Sequence, residues 1–220
     1  MNTTRKSVFL NSLGAAVGLF IFAFGVYLTI QANIGADPWD VFGLGLARTL
    51  GVKFGTATVA VSFAVLAADL LLREHIGIGT VLDAILVGKA VDLFNRLGLV
   101  PPQESLLTGV PIMLAGLAVE AFAQFLYMRA ALGCGPRDTL LVGLARRLPK
   151  VPLGFISIII LAAVTLAGWL LGGPVGVGTI IAAALCGPIM QLVFRVLRFD
   201  AKAVKHQGLV GSARVVVSRG

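Results

Sequence analysis

Residues Gly35–Arg48 read GADPWDVFGLGLAR, and 98 positions later residues Gly133–Arg146 read GCGPRDTLLVGLAR. Seven of the fourteen positions are identical: the leading Gly, the Pro and Asp that follow it, and the closing Gly-Leu-Ala-Arg. Unrelated apolar segments would share roughly one or two. The chain therefore carries an internal duplication. Further pairs extend it, since Gly77-Ile-Gly-Thr80 matches Gly176-Val-Gly-Thr179 and Gly88 matches Gly187, at an offset of 99. One residue was gained between the two sets of matches.

The surrounding composition is that of a membrane protein. Of 220 residues, 58% are hydrophobic and 13% charged, and the mean hydropathy is +0.97; an ordinary soluble domain is about 25% charged. The 27 glycines suit closely packed transmembrane helices. The net charge is +8, but the basic residues gather in loops and tail, which reads as membrane orientation and excludes a nucleic-acid surface. Two cysteines, Cys134 and Cys186, are too few for a metal site. His75 and His206 fall at a span edge and in the tail, so no buried histidine dyad or zinc helix is available. Val87-Gly88-Lys89 lacks the upstream glycine and following hydroxyl of a phosphate loop. No nucleophile stands beside a base, so no enzyme, metal or cofactor is expected.

A hydrocarbon core about 30 Å thick needs about 20 apolar residues as a helix. Six segments qualify, approximately Val8–Gln31, Phe54–Leu72, Ile76–Phe94, Thr108–Met128, Val151–Leu171 and Val175–Phe194, the last two divided at Gly172-Gly-Pro174. With both termini cytoplasmic, 14 basic residues fall inside and only Arg48, Lys53 and Arg96 outside, with Lys89 left in a span. The organisation expected is a first membrane repeat over residues 1–100, a second over 101–198 and a basic, disordered cytoplasmic tail over 199–220. Three spans per repeat force the second copy upside down relative to the first, the inverted arrangement of many secondary transporters.

In the doubled phrase, Asp37 can cap a helix that begins at Pro38 and carries Asp40 as its third residue; Gly135, Pro136 and Asp138 take the same places in the second copy. The helices that follow, to about Leu50 and Leu148, are too short to cross. They either lie at the interface or re-enter the membrane. Asp69, Asp83, Lys89, Asp92 and Glu120 fall inside spans, where each costs up to about 3 kcal/mol unless paired or hydrated. Lys89 and Asp92, three apart on one helix, are expected to form an ion pair. Asp83 and Glu120 fall at similar depth and suit a substrate or coupling site. Gly14-x-x-x-Gly18 reads as helix packing, or alternatively as a dimer seam.

The phrases GADPWD, GCGPRD, GIGT and GVGT resemble those of the YczE/YyaS/YitT-type bacterial integral membrane proteins, over roughly Leu10–Leu197. The resemblance implies a multi-pass protein of the bacterial cytoplasmic membrane, in a family whose biochemical role is largely uncharacterised.

The expectations are therefore an all-α polytopic protein of six spans as two inverted repeats, and a secondary transporter for a small solute. Its site would comprise Asp40, Asp83, Glu120, Arg137 and Asp138. Gly35, Pro38, Gly133, Pro136, Gly77, Gly79, Thr80, Gly176, Gly178 and Thr179 would be structural. The alternative is an accessory protein that binds a partner or lipid and transports nothing. Expected partners are membrane lipids and a small solute, and the dimer seam leaves a homo-oligomer open.

Overall fold

The computed structural model describes residues 5–74, 76–130 and 135–199, without the side chains of residues 5–11. Gly133, Cys134, His75 and the tail from residue 200 lie outside the described residues. Among those described, all regular structure is helical: α1 (Arg5–Gln31), α2 (Pro38–Leu50), α3 (Phe54–Leu71), α4 (Ile78–Leu97), α5 (Leu106–Arg129), α6 (Pro136–Arg147), α7 (Leu153–Leu170) and α8 (Val177–Val196). The starts of α2 and α6 are 98 apart, and those of α3 and α7, and α4 and α8, are 99 apart. The gained residue belongs to the connection after the short helices, residues 51–53 in one case and 148–152 in the other.

Five helices, α1, α3, α5, α7 and α8, are long and apolar enough to cross a membrane. The sixth expected span, α4, has the 20 residues required but carries Asp83, Lys89, Asp92 and Arg96. Exposed Leu, Ile and Phe side chains coat the outside, above all on α7 and α8, as a lipid solvent permits.

The central seam is α1 against α5. Gly18 lies against the backbone of Ala123 and Tyr127, Gly25 against Gly116 and Glu120, and Gly109 against Ala32. Numbers rise on one helix as they fall on the other, so the two run antiparallel. The contacts also map onto themselves under the offset of 98: Gly18 meets the amide of Tyr127 as Gly116 meets the amide of Thr29. Gly18 is therefore a packing residue of this seam, whereas no described atom lies within 4 Å of a Cβ placed on Gly14. The flanking contacts follow suit. Helix α1 packs on α4 as α5 packs on α8, and α2 packs on α7 as α6 packs on α3.

One pair breaks the correspondence. Helices α3 and α4 pack closely, with Gly55 against the backbone of Gly88, whereas α7 and α8 make no comparable contact. Their counterpart glycines, Gly154 and Gly187, have no described atom within 4 Å of an added Cβ.

The α3–α4 contact also corrects the expected Lys89–Asp92 pair. Asp92 lies one helical turn beyond Gly88, on the face turned toward α3, and its Oδ1 accepts the Gly55 N–H at 2.9 Å. Lys89, about 100° further round the helix, is exposed. It forms neither of the two ion pairs found among the described residues.

The asymmetry gives a stability test. Gly55→Ala is expected to lower stability by about 1–3 kcal/mol through overpacking. Gly154→Ala, at the matching position, should stay within about 0.5 kcal/mol of the native chain. Thermal unfolding in detergent measures both, and equal losses would contradict the packing described.

Candidate functional site

Asp37 caps α2 by accepting the Trp39 N–H at 3.1 Å, and Pro38 occupies the first helical position where no N–H is needed. Pro136 likewise takes the first position of α6, but Gly135 before it has no side chain to cap with, and Thr139 returns its N–H and hydroxyl to the Gly135 carbonyl, each at 3.0 Å. Both prolines are fully buried. These helices start inside the bundle, not on its surface.

The loop entering α2 is held by the other half of the chain. The Ala36 N–H donates to the Pro174 carbonyl at 3.3 Å and the Gly178 N–H to the Ile34 carbonyl at 2.7 Å. Gly35 adopts φ 111°, a region that favours glycine, and a Cβ there would lie 2.7 Å from the Gly176 amide nitrogen. The two Gly-x-Gly-Thr runs have a local role as well: Thr80 and Thr179 accept the Gly77 and Gly176 N–H groups, each at 3.2 Å, at the starts of α4 and α8. Gly79 and Gly178 are buried in those first turns. The repeated phrases thus meet each other, GADP of one half resting on GVGT of the other.

Between the halves lies a cavity of about 390 Å³. All five residues expected at a solute site, Asp40, Asp83, Glu120, Arg137 and Asp138, line it. They arrive from α2, α4, α5 and α6. Arg137 Nη2 stands 3.7 Å from Asp40 Oδ1, and its guanidinium carbon lies 5.1 Å from the centre of the Trp39 ring. The Tyr127 hydroxyl donates to Asp138 Oδ2 at 3.4 Å, and the Thr29 hydroxyl reaches Glu120 Oε1 at the same distance. Asp69, by contrast, is outside the cavity: it is fully buried in α3, and neither of its carboxylate oxygens has a hydrogen-bond partner. Its counterpart in α7 is Gly168.

The lining obeys the duplication. Phe22 and Glu120, Trp39 and Arg137, Asp40 and Asp138, Thr58 and Ser157, Asp83 and Ala182, and Val87 and Cys186 are counterparts at offsets of 98 or 99, and all face the same space. Trp39 stacks against its own counterpart, Arg137. The frame is symmetric, but its chemistry is not: Glu120, Asp83 and Asp37 have Phe22, Ala182 and Gly135 opposite them.

Asp37, Trp39, Thr58 and Tyr127 complete the site and are not singled out for it by sequence reasoning. Trp39 was findable, because it takes the place in its copy of the phrase that Arg137, already expected at the site, takes in the other. The aromatic and hydroxyl residues elsewhere carry no such mark.

Five carboxylates and one guanidinium give the lining a formal charge of −4. Arg137 should therefore be the electrostatic keystone. Arg137→Gln is expected to cost about 1–3 kcal/mol, below the full value for breaking a buried pair because its side chain is 29% exposed. Adding Asp40→Asn should recover part of that loss. A double-mutant cycle by thermal unfolding in detergent checks this, and a further additive loss in the double variant would contradict it.

Residues 10–195 match the model of a family of unknown function, DUF6198, and the chain belongs to that family. It is 33% identical over 181 residues to an uncharacterized membrane protein, YczE, of Bacillus subtilis, covering 79% of this chain and 80% of that one. An uncharacterized protein of Haemophilus influenzae is 30% identical over 179 residues, 81% of each chain. The uncharacterized protein YyaS of Bacillus subtilis is 26% identical over 183 residues, 80% of this chain and 88% of that one. No solved structure matches. The chain is thus a membrane protein of the YczE/YyaS type.

Proposed function

We propose that this member of the DUF6198 family is a secondary transporter of a small solute in the bacterial cytoplasmic membrane. In this reading it is built as two inverted three-span repeats with α4 as the sixth span and both termini cytoplasmic. The antiparallel, self-mapping α1–α5 seam supports the inversion. The charges of α4 are compatible with a span because they do not all face lipid: Asp83 lines the cavity and Asp92 is bonded to Gly55.

The observation that carries the transport reading is the broken correspondence of the two helix pairs. The cavity lies on the axis relating the halves, and its two flanks are in different states. Gly55 and Gly88 seal α3 against α4, while Gly154 and Gly187 stand apart between α7 and α8, with Gly187 on the cavity wall. Exchanging those states between the repeats would turn the opening to the other side of the membrane, which is alternating access by rocking around a fixed site. With the termini inside, the sealed contact is on the outer half and the gap on the cytoplasmic half.

Spin labels on exposed positions test the exchange directly. Phe155→Cys with Leu192→Cys reports on α7–α8, and Thr56→Cys with Leu93→Cys on α3–α4, with Cys134 and Cys186 replaced by serine in each chain. Pulsed electron resonance in lipid bilayers should give two distances at each pair, with the short population at α7–α8 growing as the long one at α3–α4 grows. A single distance at Phe155/Leu192 under all conditions would leave transport without support.

A further inference from the structure

We infer that Asp69 is a proton-binding site at the seat of α6: it holds a proton while α6 rests on α3 and gives it up when the two helices part. This site lies outside the cavity and needs no transport to operate.

The duplication places the residue. Gly45 of α2 lies against Leu171 and Gly173 after α7, and its counterpart Gly143 of α6 lies against Leu72 and Glu74 after α3, the counterparts of those two residues. The two short helices are therefore seated in the same register. On α7 the seat is a glycine: a Cβ added to Gly168 would lie 2.5 Å from the Phe42 amide nitrogen and 2.6 Å from the Phe42 Cα. So α2 and α7 meet backbone to backbone. In the matching place on α3, at the level of Thr139 and Leu140 of α6, stands Asp69.

The surroundings of this carboxyl leave it unanswered. It is wholly buried, and no donor reaches either oxygen. No cation reaches it either. The helices packed closely on α3 are α2, α4 and α6. From these, Asp40, Asp83, Arg137 and Asp138 line the cavity. Asp92 is bonded to Gly55 at the far end of α3, and Arg146 is taken by Glu74 at 2.9 Å. Arg73 and Arg147 are exposed.

An ionised carboxylate buried with neither a donor nor a counter-charge costs so much that the group takes a proton instead. The neutral acid bears only the smaller cost of an unpaired polar group. Once α6 lifts and water enters, an ordinary aspartic acid ionises at neutral pH. The exchange balances: on seating, a hydronium ion passes its proton to a carboxylate oxygen, forming the O–H bond and leaving water, and release reverses this. The seated form is therefore favoured in acid and lost as the pH rises. Because α6 also carries Arg137 and Asp138 to the cavity, the proton on Asp69 is linked to the assembly of that wall. The glycine seat of α2 has no such link.

Two readouts on the full chain in lipid bilayers test this, with His75→Gln in every sample so that its titration does not enter. In infrared difference spectra at mildly acidic pH, the chain with Asp69 should show a protonated-carboxyl C=O band that Asp69→Asn removes. For pulsed electron resonance, labels go on the exposed positions Phe63→Cys of α3 and Val142→Cys of α6, with Cys134 and Cys186 replaced by serine. A short distance should dominate in acid, and the ratio of long to short should rise with pH by up to about tenfold per unit, as linkage to one proton requires. Asp69→Asn and Asp69→Gly, the latter giving α3 the residue of the matching place on α7, should keep the short distance at every pH. Unfolding curves confirm that each variant is folded; were Asp69→Asn to fail, Asp69→Gly carries both readouts. No carboxyl band lost on removing Asp69, a distance independent of pH in the chain that keeps it, or an unchanged pH response in the variants would overturn the inference.

Discussion

Close approach of α1 and α5 at small residues is the contact on which the remaining architecture depends. In lipid there is no water to expel from between helices, so association relies on dispersion and short backbone contacts. Gly18, Gly25 and Gly116 let the two backbones meet. Because the contact is antiparallel and self-mapping, it fixes the relation of everything attached to either helix. The two short helices begin at matched places on either side of the axis, and their buried prolines bring Asp40 and Asp138 to one space. A larger residue at Gly25 would strike Glu120 and Gly116, disturbing seam and cavity at once.

The cavity gathers charge that a membrane interior does not otherwise tolerate. Its acids come from four segments, and within the lining only Arg137 carries an opposing full charge. Such an arrangement is stable only with compensation, whether from a guanidinium, from aimed hydroxyls or from a guest. At the Trp39–Arg137 stack the two copies of the phrase meet at a position where their residues differ.

Much of this architecture was legible before any coordinates. Helix starts at Pro38, Phe54 and Pro136 follow from proline, capping and hydropathy, and they stand where the pattern puts them. Five of the six charged residues of the cavity were visible because ionisable groups stand out against apolar surroundings and within a repeated phrase; the sixth, Asp37, was read only as a helix cap. Thr58 and Tyr127 were not, since a hydroxyl or an aromatic ring among apolar residues carries no such contrast. The pairing of Lys89 with Asp92 was inferred from spacing along a single helix. It is overridden by the Gly55–Gly88 contact, which turns Asp92 toward α3 and gives it a backbone N–H instead. Asp69 was visible as an acid within a span, but not that both its oxygens would lack a hydrogen-bond partner.

Inversion of the two halves is the claim from which both the axis and the exchange of states descend, and topology labelling reaches it most directly. Val52 and Lys150 are exposed in the corresponding connections after α2 and α6. Single cysteines at these positions, in a chain with Cys134 and Cys186 replaced by serine, can be treated with a membrane-impermeant maleimide. The account predicts that Val52→Cys reacts in intact cells and Lys150→Cys only after the membrane is opened. Reaction of both from the same face would contradict it.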